Sequence, residues 1–235
     1  MSCDAGNVAA THARVDGTRR DPDRGRGVSV RADAFRQARI EAVRATGELP
    51  ARPTAWWGML LVIVTEATLF ALLLASTFYL QARTPGPWPP DGIEDPKLLL
   101  PGVMTVVLFV SSIPMFYADR KIRRGDITRL RIGLVVTFVL GSAFLCLQAV
   151  EYREDLKAFR PSTDAYGSSF YTVTGLHGLH VLAGLILIAW TLFRARRGIV
   201  TRRHHVGVEV TALYWHFVHV AWLVIFTCLY LVPHL

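Results

Sequence analysis

The chain has 235 residues, of which 52% are hydrophobic and 19% are charged, whereas soluble domains carry about a quarter charged residues. Its net charge of +8 is compatible with a nucleic-acid partner. Positive charge collected on one face of a membrane explains the same value, so no nucleic-acid partner is expected. Three cysteines, Cys3, Cys146 and Cys228, form neither a paired framework nor a metal-ligand spacing.

Residues 1–50 contain no apolar run long enough for a core. Arg, Asp, Gly and Ala are frequent among them, and the polar stretch 14–26 predicts disorder. Residues 31–44, rich in Ala and Arg, predict a short surface helix. The apolar segment of a signal peptide is missing, so no cleavage is expected. The predicted organisation is a disordered basic tail at 1–50 followed by a membrane domain at 51–235.

Five apolar runs follow the tail, at residues 55–81, 98–117, 132–150, 168–193 and 208–232. Each has roughly the 20 residues that a helix needs to cross a hydrocarbon core of about 30 Å. Lipid offers backbone groups no hydrogen-bond partner, so these runs must be helical. The predicted fold class is therefore all-α, a polytopic bundle of five transmembrane helices. Pro114 predicts a kink late in the second helix.

Lys and Arg are distributed unequally between the connectors. Twenty-one of the 26 basic residues lie in the tail, between the second and third runs, and between the fourth and fifth runs. Basic residues concentrate on the cytoplasmic side of a membrane. The N-terminus is therefore predicted to lie inside and the C-terminus outside.

Glu66 is the charged residue of the first apolar run and lies eleven residues from its inner end. At about 1.5 Å per residue the carboxyl comes near the bilayer midplane, where an ionised carboxylate facing lipid is costly. Glu66 is therefore expected to face protein and to be neutral or paired. Two interpretations are open, a functional carboxyl and a hydrogen bond that locks two helices together.

Four histidines lie in the last two apolar runs. His177 and His180 are three residues apart and share a helix face, and His216 and His219 repeat this spacing. His180 and His219 lie about as deep as Glu66. Three interpretations fit this pattern: a hydrogen-bonded polar layer, axial ligands of a b-type haem, and a metal site, for which the ligand set is incomplete.

Four segments carry a resemblance to a known family. They are residues 57–66 (WGMLLVIVTE), 147–152 (LQAVEY), 170–181 (FYTVTGLHGLHV) and 214–218 (YWHFV). In this order, with each segment in its own helix, they resemble subunit III of the haem–copper terminal oxidases in its five-helix bacterial form. The resemblance covers residues 56–235 and leaves out the tail.

The resemblance implies a subunit with no redox centre or catalytic residue of its own, in a respiratory complex that reduces dioxygen to water. Haem and copper would belong to catalytic subunit I, which with subunit II would be its protein partner in the bacterial inner membrane. The subunit is expected to support assembly and sustained proton uptake. It is also expected to bind phospholipid in a cleft between its first two helices and the remaining three.

Six residues are predicted as functional buried polar groups: Glu66, Glu151, His177, His180, His216 and His219. The family's buried carboxylate corresponds to Glu66, and its fourth-helix histidines to His177 and His180. The family usually has Asp where this chain has His219, which leaves open a divergent branch such as the subunit III-like accessory proteins of nitric oxide reductases. A free-standing b-haem electron carrier is the third alternative.

Matched depth predicts one hydrogen-bonded network of Glu66, His180 and His219 near the midplane. A contact between His180 and His219 without Glu66 is the alternative. Either arrangement would keep these side chains away from lipid, where each is costly.

Phospholipid phosphates need basic partners near the membrane surface. The candidates are the inner-face arginines that follow the second and fourth apolar runs: Arg120, Arg123, Arg124, Arg194, Arg196 and Arg197. Because positive charge also marks the inner face of any membrane protein, the same residues serve as topology signals.

Overall fold

The structure is a computed structural model that describes residues 52–86, 88, 90, 98–158, 164–202 and 204–234. The predicted tail, its surface helix and Cys3 lie outside the described residues. Arg52–Leu235 form one compact unit. Its described part contains five helices that are long and apolar enough to cross a membrane.

The five helices are α1 (Thr54–Arg83), α2 (Leu99–Arg123), α3 (Ile127–Ala158), α4 (Ala165–Arg196) and α5 (Val206–Phe226). A π-helical turn at Thr227–Leu231 and a 3-10 turn at Val232–His234 follow α5. In the described ranges, extended pairing is limited to an isolated bridge between Thr201 and His204. The predicted all-α bundle of five helices is confirmed, and α2 continues through Pro114.

The helices α3 and α4 extend beyond the apolar runs that predicted them. The carboxylate of Asp126 accepts the backbone N–H of Arg129 at 3.0 Å at the start of α3. Asp164 accepts the N–H of Gly167 at 2.6 Å at the start of α4. Such caps satisfy donors that have no partner within the helix. The residues added to α3, at 127–131 and 151–158, are mostly polar, so a search for apolar runs does not find them.

Helix α5 occupies the centre of the bundle, in contact with α1, α2 and α4. Helix α2 packs most extensively on α3, and α3 packs on α4. The turn between α2 and α3 contains Gly125 at φ +85°, a backbone conformation that glycine adopts without steric cost. This tight turn holds α2 and α3 side by side.

The packing does not separate the first two helices from the other three. Helix α1 packs on α4 and α5, whereas α2 packs on α3 and α5. The prediction of a phospholipid cleft between the first two helices and the remaining three is therefore wrong. The turn at residues 124–126 fixes α2 against α3, while the longer connector before residue 98 allows α1 to dock on the opposite part of the bundle.

Glycines on α3 and α4 make room for large side chains between the helices. A Cβ atom at Gly184 would lie 2.8 Å from the indole ring of Trp215, and one at Gly141 would lie 2.6 Å from the same ring. At Gly178 a Cβ atom would lie 2.7 Å from the side-chain oxygen of Gln148. Close helix approach at small residues is the usual basis of packing between membrane helices.

The outward side of α1 is apolar and exposed. Leu61 is 68% exposed and Leu72 is 65% exposed, whereas Phe70, Leu74 and Thr77 are the buried residues of this helix. A continuous apolar surface is stable against lipid or against another subunit and not against water. Helix α1 is therefore the element of the bundle that offers most apolar surface to its surroundings.

Candidate functional site

Glu66 on α1 and His180 on α4 are in direct contact. Oε2 of Glu66 lies 2.9 Å from Nε2 of His180, and the two side chains are 31% and 10% exposed. The ring of Phe70, one turn from Glu66, packs edge-on against the imidazole with centroids 5.0 Å apart. The contact that depth predicted for this pair is confirmed, and it joins the first and fourth helices.

The second ring nitrogen of His180 determines how many protons the pair holds. Nδ1 lies 2.7 Å from the carbonyl oxygen of Leu176. A carbonyl oxygen only accepts hydrogen bonds, so Nδ1 carries a proton. Nε2 and the Glu66 carboxyl then share one further proton. The pair is neutral overall whether that proton lies on the carboxyl or on the imidazole, which limits the cost of placing it away from water.

His219 has a different set of partners. Nε2 lies 3.0 Å from Oγ of Ser111 and also contacts the carbonyl oxygen of Leu108. Nδ1 lies 2.6 Å from the carbonyl oxygen of Trp215, whose indole N–H donates to Ser111 at 3.2 Å. His216 is half-buried, with its ring centroid 6.2 Å from that of His219. The prediction of one network of Glu66, His180 and His219 is therefore wrong for His219, which bonds to other residues.

Depth along a helix predicted the level of these side chains but not their direction. Both ring nitrogens of His180 and both of His219 are used on other atoms, so the alternative contact between the two histidines is not formed. Side chains at equal depth meet only if the two helices are rotated toward each other, and packing sets that rotation. Ser111 and Trp215 were not predicted because neither is ionisable.

His177 is fully buried and has no hydrogen-bond partner among the described residues. The rings of Phe70, Phe144 and Trp222 surround its imidazole, with centroid distances of 5.0–6.3 Å. A neutral imidazole always carries one N–H. At least one buried donor is therefore unsatisfied, at a cost of about 1–3 kcal/mol.

Glu151 belongs to a second polar group, toward the end of α3. Its side chain is buried, and Oε1 accepts a hydrogen bond from the hydroxyl of Tyr230 at 3.0 Å. Nearby, the hydroxyls of Tyr152 and Thr174 lie 2.7 Å apart, and the Gln148 amide donates to the Thr174 carbonyl at 2.9 Å. These contacts join α3 to α4 and to the turn after α5. Tyr230 was not predicted, because the sequence argument considered only charged residues and histidines within the apolar runs.

The six arginines predicted to bind lipid differ in their surroundings. Arg123 pairs with Asp119 at 3.2 Å and with Glu209 at 2.9 Å, so its charge is already compensated. Arg120 and Arg197 each lie over a phenylalanine ring of their own helix, 4.5 and 4.8 Å from the centroid. Lipid binding by this set stays a prediction, and Arg123 is the member least suited to it.

The histidine geometry also bears on the haem and metal interpretations. Axial ligation needs two imidazole nitrogens directed at one iron, whereas His180 and His219 direct theirs at protein atoms. Within the described ranges, no group of three or more His, Cys, Asp or Glu side chains is arranged to hold a metal ion.

Comparison with known proteins identifies the family. The family model described as cytochrome c oxidase subunit III matches residues 33–233, which include all five helices. The chain belongs to the cytochrome c oxidase subunit III family. A relative named cytochrome c oxidase subunit 3, from Synechocystis sp., is 41% identical over 177 residues, which are 74% of this chain and 74% of the relative.

Two further relatives carry the same name. The one from Thermostichus vulcanus is 35% identical over 175 residues, 74% of this chain and 85% of the relative. The one from Bos taurus is 37% identical over 180 residues, 74% of this chain and 68% of the relative. As a member of the cytochrome c oxidase subunit III family, the chain is a multi-pass, non-catalytic subunit of a haem–copper terminal oxidase. Neither the nitric oxide reductase alternative nor the b-haem carrier is favoured.

Proposed function

We propose that this subunit sustains dioxygen reduction by holding α1 in place for the catalytic subunit and by keeping a proton-sharing pair at mid-membrane depth. The contact between Glu66 and His180 is the observation that carries the proposal. It joins α1 to the bundle near mid-length and leaves 31% of the Glu66 side chain exposed. The shared proton is therefore accessible from outside the bundle, where lipid or another subunit lies, in line with a supporting role in proton uptake.

Subunits I and II of the oxidase are the proposed protein partners. Haem and copper are assigned to the catalytic subunit, and no redox cofactor is assigned to this chain. The outward apolar face of α1, with Leu61 and Leu72 more than 60% exposed, supports a contact with another membrane protein. A partner subunit that covers this face would also cover Glu66. Assembly of the complex would then depend on the protonation of the pair of Glu66 and His180.

The proposed location is the inner membrane of a bacterium, with the N-terminus inside and the C-terminus outside. The beginning of α1 and the ends of α2 and α4 lie on the same side of an alternating bundle, and each carries arginine: Arg52, Arg123 and Arg196. Concentration of basic residues on that side supports its assignment to the cytoplasm.

Phospholipid is the proposed bound ligand. Five of the six predicted arginines, all except Arg123, make no ion pair within the described residues: Arg120, Arg124, Arg194, Arg196 and Arg197. Each contributes about 1 kcal/mol of attraction to an anionic membrane surface. Bound lipid would therefore be expected along the inner ends of α2 and α4.

Purification through a C-terminal tag in mild detergent tests the proposed function. Mass spectrometry of the partners should find subunits I and II, and a metal count should find copper and haem iron in the complex. A catalytic partner with non-haem iron in place of copper would contradict the oxidase assignment. A Soret band that remains with this subunit after separation from subunit I would contradict the absence of a redox cofactor here.

A further inference from the structure

Tyr230 lies in the π-helical turn Thr227–Leu231 that follows α5. Its side chain is buried, and its hydroxyl donates to Oε1 of Glu151, also buried, at 3.0 Å. This distance is within the reach at which a base takes a proton. A π-helical turn is rare and frequently occurs at functional sites. The turn thus places a buried phenol next to a carboxyl group that can accept its proton.

Aromatic rings connect Tyr230 with the core of the bundle and with the beginning of α4. The ring centroid of Tyr230 lies 6.3 Å from that of the buried Trp222 and 5.6 Å from that of Phe170. Phe170 lies 6.1 Å from Tyr166, whose ring is 5.4 Å from that of Trp88. Indole and phenol rings lose one electron more readily than other aromatic side chains. The series therefore offers a path for single electrons between the core and the connector that precedes α2.

The hydrogen bonds of Trp222 and Tyr230 differ in the fate that they allow a proton. The indole N–H of Trp222 donates to Oγ1 of Thr105 at 2.9 Å, and a neutral hydroxyl is a poor base. The phenol of Tyr230 donates to a carboxyl oxygen, and a carboxylate is a far stronger base. Because a phenol becomes strongly acidic when it loses an electron, its oxidation is favoured where a base lies within hydrogen-bond reach. An electron vacancy on Trp222 should therefore pass to Tyr230.

We propose that Trp222, Tyr230 and Glu151 form a one-electron relay that removes oxidising equivalents from the core of the bundle. An oxygen-centred radical in the membrane takes one electron from Trp222 and, with a proton from water, becomes an alcohol or a hydroperoxide. The Trp222 radical cation then takes one electron from Tyr230, whose O–H bond breaks as the proton moves to the Glu151 carboxylate. A soluble thiolate, oxidised to a thiyl radical, returns the electron through Tyr166, and Glu151 returns the proton.

The relay goes beyond the proposed role of the subunit in assembly and proton uptake. It uses none of the atoms in the contact between Glu66 and His180. In a complex that consumes dioxygen, oxygen-centred radicals are an expected class of oxidant. A radical held on the buried Tyr230 ring is kept away from lipid, so the relay would protect the bundle and its surroundings from oxidative damage.

The test uses the intact oxidase complex, illuminated with a ruthenium tris-bipyridine photo-oxidant and a cobalt(III) ammine complex as irreversible electron acceptor. Peptide mass spectrometry measures the addition of oxygen to Trp222, and electron paramagnetic resonance measures tyrosyl radical in frozen samples. E151Q keeps an oxygen that accepts the Tyr230 hydroxyl but is not a base. Oxygen addition to Trp222 should rise at least about tenfold in E151Q, because a positioned base accelerates proton transfer by about 10²–10⁴-fold.

Y230F should raise oxygen addition to Trp222 in the same way and should lose part of the tyrosyl signal. Y79F is the matched control, because it removes the same hydroxyl group from an exposed tyrosine on α1, and it should leave both readings unchanged. Unchanged oxygen addition in E151Q or in Y230F would overturn the proposal. An equal rise in Y79F would also overturn it, since the effect would then not depend on Tyr230.

Heavy water separates the relay from a structural role of the same side chains. In the unaltered complex, deuterium on the Tyr230 hydroxyl should slow its oxidation, so oxygen addition to Trp222 should rise in heavy water. E151Q should lose this isotope effect, because its amide does not take the proton. Absence of the isotope effect in the unaltered complex would overturn the proposal, and this measurement decides the matter even where a variant fails to assemble.

Discussion

Glu66 and His180 are 114 residues apart in the chain and are joined by a hydrogen bond of 2.9 Å between α1 and α4. The bond crosses from the most exposed helix of the bundle to one of the better buried ones. Because Nδ1 of His180 is held by the Leu176 carbonyl, the imidazole cannot turn away without losing a second hydrogen bond. The pair is thus fixed from the α4 side.

Coupling between the two side chains is the first prediction. E66Q and H180A should each accelerate inactivation of the oxidase during turnover, and the double variant should be clearly less damaged than the sum of the two. Directly bonded residues usually show interaction energies of about 0.5–3 kcal/mol, which thermal unfolding of the purified complex would measure. T68V serves as control, since the Thr68 hydroxyl bonds to its own helix at Val64. Strict additivity would contradict the coupling.

The second prediction concerns the replacement of His219 by Asp, the residue usual in the family. H219D should lower the stability of the complex by about 1–3 kcal/mol, because a carboxylate cannot donate to either of the two carbonyl oxygens, of Leu108 and of Trp215, that face the imidazole nitrogens. H219Q, which keeps an N–H donor, should lose less. Yield of assembled complex and its thermal midpoint report the effect. An H219D complex as stable as the unaltered one would show that these donors are dispensable.

The third prediction concerns the removal of the His177 imidazole, which has no hydrogen-bond partner among the described residues. H177L should leave the complex as stable as before or stabilise it by about 1 kcal/mol, because it removes a buried donor that lacks a partner among Phe70, Phe144 and Trp222. Thermal unfolding and steady-state oxygen consumption would both be followed. Lost oxygen consumption at unchanged stability would show that the His177 imidazole has a role beyond packing.

The fourth prediction concerns the close approach of α4 and α5. G184A should destabilise the complex by about 1–3 kcal/mol, because the new methyl group would lie 2.8 Å from the buried Trp215 ring. G58A is the matched control. A Cβ atom at residue 58 meets nothing within 4 Å, so the higher helix propensity of alanine should make G58A neutral or slightly stabilising. Equal effects of the two changes would argue against tight packing at Gly184.

Membrane orientation is the fifth prediction. A reporter that is active outside the cell membrane should be active when fused after Leu235. Cys3 should react with a membrane-impermeant thiol reagent after the inner face is opened and not before. A C-terminus on the same side as Cys3 would contradict the odd number of spans, and early labelling of Cys3 would contradict the assignment of the basic side to the cytoplasm.

Much of the site could be predicted from depth and family resemblance. The sequence indicates Glu66 and His180, because an ionisable residue within an apolar run must face protein. The same reasoning placed His219 in their network, although it bonds to Ser111 and Trp215 instead. Equal depth does not show that two side chains are in contact, since it leaves the rotation of each helix about its axis undetermined.

The sequence by itself determined the number of helices, their approximate bounds and the uneven placement of basic residues. A bilayer tests each span separately for length and apolar composition, so local patterns suffice for these features. Only the tertiary structure decided that α1 docks on α4 and α5, that His177 has aromatic neighbours and that Tyr230 meets Glu151. Those choices depend on how side chains distant in the chain fit together, as Trp215 does against Gly141 and Gly184, and no local pattern contains that information.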